Sequence, residues 1–258
     1  SIQSYGNYMV DVTYGELASG LVGAGRMAEP EDIVASLSEH FGTGPLTDKQ
    51  VLITAGPTYE KIDPVRFIGN RSTGKMGLAI AKRCTALGAD VTMVMGPNHL
   101  DIPSDIEVIK VESAEQMYEA CEAQFDKADL TFLSAAVADF TPKTVADQKI
   151  KKKGDGMTLD LAKTTDIAAS LGQRKRKNQI VVGFALETND EMANAKSKLE
   201  RKNFDFIVLN SMKDKGATFG YDTNKVTIIS KGNKIHNYEL KSKDAVARDI
   251  LDLVIAAF

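Results

Sequence analysis

Two rhythms of apolar and polar residues alternate along the chain: short apolar runs, and stretches in which apolar residues recur at helical spacing. The first uninterrupted run, Val51 to Thr54, stops at a Gly56-Pro57 turn. From Lys75 to Leu87, residues Met76, Ile80, Cys84 and Leu87 share one face of a predicted helix. Val91 to Met95 reads as a second strand and Glu107 to Val111 as a third. Ser113 and Gln116 have the spacing of a capping box, opening a helix that turns Met117, Cys121 and Phe125 inward. Leu130 to Ser134 is strand-like and runs on into Ala-Ala-Val-Ala-Asp-Phe. Ile180 to Leu186 is apolar throughout, as expected of a strand covered on both faces. A helix over Asp190 to Lys202 and a strand over Phe206 to Leu209 follow. Lys225 to Ser230 and Ile235 to Leu240 flank Lys-Gly-Asn-Lys, which predicts a hairpin, and Ser242 caps a final amphipathic helix.

Strands alternating with helices predict an α/β fold: a Rossmann-like, doubly wound, mostly parallel sheet with a C-terminal β-hairpin. In such sheets ligands sit beyond the carboxyl ends of the strands. Those ends carry small residues and amides here: Ala55 to Thr58, Gly96-Pro97, Ser134 to Ala136, Phe184-Ala185 and Asn210. One connection breaks the pattern. A strand-to-helix loop is ordinarily about 2–6 residues long, yet nearly a whole extra segment separates Ala55 from Thr73. Loops of that length inside a compact unit are usually functional, so chemistry is expected there.

Residues 1–47 differ from the rest. They are rich in Gly, Ser and Glu, hold one helical stretch (Glu31 to Glu39, after Pro30), and lead through Phe-Gly-Thr-Gly-Pro-Leu-Thr-Asp to the first strand. Such a segment buries no core alone and reads as the tail of something larger plus a linker. The main domain is expected over residues 48–258.

Composition narrows the partners. A net charge of −3 gives no general attraction to nucleic acid or anionic membrane. No apolar run approaches the roughly 18 residues that span a bilayer, and the first residues show no secretory signal, so a cytoplasmic protein is expected. Cys84 and Cys121 fall on separate predicted helices as free buried thiols. His40, His99 and His236 lack metal-ligand spacing, against a structural zinc or a Ser-His-Asp triad.

Several motifs invite stronger readings. Gly69 to Lys75 fits the start of a P-loop, but Met76 has no hydroxyl for Mg²⁺ and Gly69 follows no strand directly. Tyr221 and Lys225 have dehydrogenase spacing, but Asp-Thr-Asn between them is turn chemistry. Gly96-Pro97 also stands where a dehydrogenase would place an acid for the ribose. Ser72 to Gly77 reads either as an anion site at a helix start, capped by Ser72 or Thr73, or as an ordinary capped helix packed closely on the sheet. Lys149 to Gly156 is a basic run suited either to solvent or to a lid over phosphates. Gln173 to Asn178, also basic, is read as a favourable helix terminus and solvated turn. Lys198 and Lys202, four apart on one helix face, are placed to reach one ligand together.

These residues resemble a known family. The stretch from Ile53 through Asp63-Pro-Val-Arg66 and Asn70 to Gly77, then Ala135 to Phe140, the flap beginning at Lys149, Val181 to Thr188, the Lys198/Lys202 helix, and Asn210 with the Gly220-Tyr-Asp-Thr-Asn224 turn resemble phosphopantothenoylcysteine synthetase over about residues 51–257. Tyr14 to Gly20 and Gly25 to Pro30 resemble the end of the flavin-dependent decarboxylase fused upstream in most bacteria; Ser19 stands where that half usually has a cysteine. The resemblance implies a ligase of coenzyme A synthesis. It would join 4′-phosphopantothenate and L-cysteine through an acyl-cytidylate, with CTP as co-substrate and Mg²⁺ on the triphosphate, releasing pyrophosphate and CMP. FMN belongs only to the decarboxylase half, whose activity is not expected of this fragment. A homodimer is implied, with the hairpin near Lys225 to Leu240 as a candidate contact, and a larger assembly in the fusion.

Carried over residue by residue, Lys149 assists acyl-cytidylate formation and Asn70 holds the intermediate for the cysteine step. The nucleotide is expected to meet Leu133, Ser134, Ala135 and Asp139. Farther along it meets Lys149 and the run Thr165, Asp166, Ile167 and Ala168, where Thr165 replaces a proline common in the family. Phe184, Lys198 and Lys202 complete that set. On helix-terminus grounds Gly56, Ser72 and Gly74 are added as a phosphate cradle, and Ala136 is added on the pantothenate side. Two other readings stay open: an NAD(P)-dependent Rossmann oxidoreductase, and a non-catalytic nucleotide-binding relative.

Overall fold

A computed structural model describes residues 9–16, 20, 22–41, 44–152, 156–211 and 220–258. The chain opens with strands β1 (Thr13–Glu16) and β2 (Val22–Arg26), paired as an antiparallel ribbon, and helix α1 (Pro30–Phe41). Proline at the first helical position and Glu31 and Asp32 in the first turn explain where α1 starts. Then come β3 (Gln50–Ala55), β4 (Tyr59–Lys61), β5 (Phe67–Gly69), α2 (Lys75–Ala86), β6 (Asp90–Met95), β7 (Glu107–Lys110) and α3 (Ala114–Phe125). The middle holds β8 (Leu130–Leu133), β9 (Phe140–Pro142), β10 (Leu161–Lys163), α4 (Ile167–Arg174), β11 (Ile180–Glu187) and α5 (Glu191–Arg201). The chain closes with β12 (Phe206–Ser211), β13 (Thr223–Asn224), β14 (Val226–Ser230), β15 (Ile235–Asn237), β16 (Lys241–Ser242) and α6 (Lys243–Ile255).

Eight strands form the central sheet in the order β15-β14-β12-β11-β8-β3-β6-β7. The six from β7 to β12 run parallel, and β14 and β15 add an antiparallel hairpin at one edge. This is the doubly wound arrangement expected from the sequence, with the reversal of strand order between β3 and β8. Leu52, Ile53, Leu130, Phe132, Val181 and Val182 are fully or nearly fully buried because helices cover both faces of the sheet. One apolar core joins β3, β6 and β14 to α2 and α6, with Ile80, Cys84, Ile250 and Leu251 inside it. The other joins the opposite face to α3, α4 and α5 through Met117, Phe125, Leu171 and Leu199. The Ser113 capping box is present in full, and Ser242 Oγ accepts from Ala245 N.

Two expectations need correction. The first turn of α2 is not capped by a Ser72 or Thr73 side chain: its N-cap is Gly74, at φ 77°, with no side-chain cap bond. Ser72 Oγ instead accepts from Gly74 N at 3.4 Å. Nor is the basic run after α4 a wholly solvated turn. Arg174 pairs with Glu122 and Asp126, while Lys175, whose side chain is only 7% exposed, pairs with Asp205 at 2.8 Å.

The long insertion after β3 is a tied-down hairpin. Strands β4 and β5 pair antiparallel, and the rings of Tyr59 and Phe67 stack with centroids 3.9 Å apart. The buried polar side chains of the insertion, Thr58, Glu60 and Asp63, each have a structural partner. Buried Thr58 accepts from Ala138 N at 2.9 Å, and buried Glu60 accepts from Ala114 N at 2.9 Å at the start of α3. Asp63 receives the amides of Val65 and Arg66, the Arg66 guanidinium and Ile150 N. Arg66 Nη2 also donates to Ile150 O at 2.7 Å. The insertion therefore clasps the root of the basic flap one residue after Lys149.

Candidate functional site

Parallel pairing continues past the ends of β3 and β8 and builds a rigid wall. Ser134 N and Oγ both reach Thr54 O, Ala135 N reaches Thr54 Oγ1, and Ala136 N reaches Gly56 O. Thr58 N returns a bond to Ala136 O, and Pro57 and Ala136 form an isolated parallel bridge. The wall is Ala135 to Val137, small residues standing at the switch point of the sheet, where a doubly wound fold leaves a crevice.

A cavity opens on each side of this wall, and Ala135 and Val137 line both. The first, about 480 Å³, lies toward the face covered by α3, α4 and α5. It brings together eight of the twelve residues expected around a nucleotide: Leu133, Ala135, Asp139, Thr165, Asp166, Ile167, Ala168 and Lys202. Asp166 caps α4 by accepting from Ala169 N and pairs with Lys202 Nζ at 2.9 Å. Burial pushes the Asp166 carboxyl up, but the Lys202 hydrogen bond, the Ala169 amide and the Lys202 and Arg201 charges outweigh it and hold it below its ordinary value. The carboxylate thus stays ionised and fixes the ammonium at the cavity rim.

The second cavity, about 350 Å³, lies toward α2 and α6. It gathers Asn70, Ser72, Gly74, Ser134, Ala136 and Phe184 from the expected set. Asn70 Nδ2 donates to Ala136 O at 3.0 Å and Val137 O at 3.2 Å, so the amide stands against the dividing wall. Gly74 in the left-handed region lets α2 start without a side chain in the way. A Cβ on Gly77 would lie 2.5 Å from Ala55 Cβ and 2.8 Å from Ser134 Oγ, so glycine is what allows α2 to meet the sheet at the wall.

Three expected residues stand apart from both cavities. Gly56 is buried behind the helix start, packed against Gly96, with its carbonyl used by Ala136. Lys149 is exposed at the flap root, beside the Asp63–Arg66 clasp; residues 153–155 of the flap lie outside the described residues. Lys198 pairs with Glu187 at 2.6 Å while Lys202 pairs with Asp166, so the two lysines of one helix face are held by different carboxylates. Ser19, likewise, lies outside the described residues.

Sequence reasoning missed Lys163 and Thr164, which line the first cavity from the end of β10, and Lys75, Asn224 and Lys243, which line the second. The turn containing Asn224 was a visible motif; Lys243 carried no signal beyond its place after a capping serine. The dehydrogenase motif dissolves: Tyr221 precedes β13, and Gly96, where an acid would be needed, packs so closely on Pro57 that any Cβ would overlap its carbonyl at 1.8 Å. Among the described residues no cluster of His, Cys, Asp and Glu suits a metal, and no helix is long and apolar enough to cross a membrane.

Known proteins resemble this arrangement closely. A cysteine/cysteine sulfinic acid decarboxylase of an unknown prokaryotic organism is 53% identical over 260 residues, covering 98% of this chain and 72% of that protein. The coenzyme A biosynthesis bifunctional protein CoaBC of Bacillus subtilis is 49% identical over 255 residues, covering 97% of this chain; the chain spans 63% of that protein's length. A crystal structure of the C-terminal domain of CoaBC superposes with a TM-score of 0.71 at 39% identity, over 83% of this chain and 97% of that one. Residues 46–258 match the family model of the DNA/pantothenate metabolism flavoprotein C-terminal domain, and the chain belongs to that family.

Proposed function

We propose that this chain is a CTP-dependent ligase of coenzyme A biosynthesis, joining 4′-phosphopantothenate and L-cysteine to give 4′-phosphopantothenoylcysteine. The observation that carries the reading is the pair of cavities meeting at Ala135 to Val137, with Asn70 at the junction. The reaction first joins a carboxylate to the α-phosphate of a nucleotide, which needs two separately held anions brought together across a short gap. In this reading the nucleotide occupies the first cavity and the acyl substrate the second. The B. subtilis protein of that name and the crystal structure of its family's C-terminal domain support the pathway.

Each half of the reaction draws on different residues. Lys149, swung in on its flap, offsets negative charge while the carboxylate attacks the α-phosphate and pyrophosphate leaves. Lys202, held by Asp166, faces the nucleotide. Mg²⁺ stays mainly on the triphosphate and screens its charge. Asn70, giving up one of its two wall carbonyls, then donates to the acyl oxygen of the acyl-cytidylate while the cysteine amine attacks and CMP leaves. Neither residue acts as a base in this scheme; both position groups and stabilise charge.

The first 47 residues are, in this reading, the end of a flavin-dependent decarboxylase domain, and FMN belongs to the rest of that domain. The decarboxylase name of the 53%-identical relative describes that whole protein. A cytoplasmic homodimer completes the proposal. Candidate contacts are the exposed apolar residues Val65 and Phe67 of the β4–β5 hairpin, Phe140 and Leu161 of the neighbouring β9–β10 ribbon, and Ile235 of β15 with Leu240. An oxidoreductase is not favoured, since Gly96-Pro97 replaces the ribose-binding acid.

The test is product accounting. Pyrophosphate should appear with phosphopantothenate, CTP and Mg²⁺ alone, and CMP only when cysteine is added. Folded protein that releases neither product under those conditions overturns the reading.

A further inference from the structure

The charges around the first cavity cancel. Among the described residues that line it, Lys163 and Lys202 stand against Asp139 and Asp166, so the lining offers no surplus positive charge to a nucleoside triphosphate. One further ammonium lies close by. Lys198 is one turn before Lys202 on the same face of α5, where neighbouring Cβ atoms are about 5–6 Å apart, and its four-carbon stem is flexible. Yet Lys198 stands apart from the cavity, with its Nζ held 2.6 Å from Glu187 Oε1.

The two ion pairs of this helix face are not equally fixed. Asp166 is also the N-cap of α4 and accepts from Ala169 N at 3.0 Å, so it is bound into the fold whatever Lys202 does. Glu187, the last residue of β11, has no such second task. Its described hydrogen bonds come from α5: Lys198 Nζ at 2.6 Å, and Asn194 Nδ2 at 3.4 Å, the latter too long to be strong. The Glu187 side chain is 13% exposed and that of Lys198 35%. A phosphate can replace the carboxylate as partner of the ammonium, one charge-assisted bond for another. A mostly buried carboxylate stripped of its cation is unfavourable, however. Only a highly charged ligand therefore drives the exchange.

We propose that Glu187 is a positioning residue that keeps Lys198 off the first cavity while no nucleotide is bound. Lys198 leaves it for the phosphates of a nucleoside triphosphate and returns when pyrophosphate departs. This rests on the ligase reading and deepens it. The triphosphate brings the negative charge that takes the place of Glu187. Once the α-phosphate is joined to the acyl group and pyrophosphate is gone, the cavity holds less negative charge and Glu187 reclaims the lysine. The internal carboxylate thus weakens the grip on nucleotide and favours release of the products.

Isothermal titration of the full chain with CTP-Mg²⁺, beside steady-state pyrophosphate release, tests the exchange. Glu187→Gln keeps the shape of the side chain and its acceptor for Asn194. It should bind CTP-Mg²⁺ about two- to fivefold tighter, the worth of a partly exposed ion pair, and lower KM for CTP without raising kcat. A merely structural role would weaken binding instead. Lys198→Met should weaken CTP, and adding Glu187→Gln to that variant should change nothing further. Unchanged or weaker binding by Glu187→Gln overturns the proposal. So does tightening that persists in the Lys198→Met background, which would make Glu187 a charge acting through space. The wild type gives an independent check: in crystals soaked with CTP-Mg²⁺, Lys198 Nζ should lie on a phosphate, and an intact pair with Glu187 beside bound nucleotide overturns the exchange. In each of these cases pyrophosphate release by the wild type would still uphold the ligase. Wild-type protein that neither binds CTP-Mg²⁺ nor releases pyrophosphate overturns both readings.

Discussion

Gly77→Ala asks whether α2 is seated where the fold requires. Two effects oppose each other. Alanine favours a helix over glycine by about 1 kcal/mol, whereas forcing a methyl group into a filled space costs about 1–3 kcal/mol. Here the new Cβ would meet Ala55 Cβ at 2.5 Å and Ser134 Oγ at 2.8 Å, well inside ordinary contact. Ser134 Oγ is held by Thr54 O at 2.6 Å and cannot retreat freely, so the helix start must move. A net loss of about 1 kcal/mol corresponds to a fall of about 2–4 °C in melting temperature for a chain this size. Activity should suffer more. A displacement near 1 Å of a positioning element can cost about a hundredfold in rate, and the start of α2 lines the second cavity. Calorimetry and steady-state pyrophosphate release measure the two effects. The variant should remain folded, melt a few degrees lower and lose most of its turnover, while CTP binding in the first cavity persists. A variant with wild-type melting and wild-type turnover would refute the close approach of α2 to the wall.

Other consequences are as direct. Asp63→Asn should loosen the flap root, so trypsin should cut at Lys151 or Lys152 faster while the sheet core stays resistant; equal rates would mean the clasp does not hold the flap. Burial raises the Asp63 carboxyl, but the Val65 amide, the Arg66 guanidinium and the Ile150 and Arg66 amides hold it well below the usual carboxylate range. A group whose folded pKa is depressed contributes stability above its ordinary pKa, about 4, and loses it as pH falls further. The melting difference between wild type and Asp63→Asn should therefore shrink below about pH 4; a gap that widens there would contradict the assignment. Burial pushes the Cys121 thiol up to about 12 and Cys84 higher still, so neither should react with an aromatic disulfide reagent at pH 8 until the protein is unfolded. Rapid labelling of native protein would place a thiol at the surface. For the chemistry, Lys149→Ala should lose pyrophosphate release, and Asn70→Asp should release pyrophosphate yet stall before CMP; a stall before pyrophosphate would reverse the role given to Asn70.

The sheet was largely legible in the sequence because its strands are covered on both faces. Ile180 to Leu186 must be apolar throughout when β11 lies between β8 and β12, and a run of that kind has few other readings. The helix starts at Ser113 and Ser242 were legible because capping is local chemistry. The small ribbons were not. β4, β5, β9 and β10 are three residues each and half exposed, so no periodic pattern can mark them. Their positions come from long-range bonds such as those of Thr58, Glu60 and Asp63, whose partners lie 50 or more residues away. The same limit applies to the site. Helical spacing puts Lys198 and Lys202 on one face, but only the folded chain brings Glu187 to one and Asp166 to the other.

The two-cavity arrangement is tested most directly by a crystal structure of the Asn70→Asp variant incubated with CTP, Mg²⁺ and 4′-phosphopantothenate. Trapped acyl-cytidylate should place its cytidine among Asp139, Thr165 to Ala168 and Lys202, cross at Ala135 to Val137, and run its acyl chain toward Asn210 and Asn224. A nucleotide seated in the second cavity, with its phosphates on Lys75 and Lys243 and the acyl group on the other side of the wall, would contradict the account.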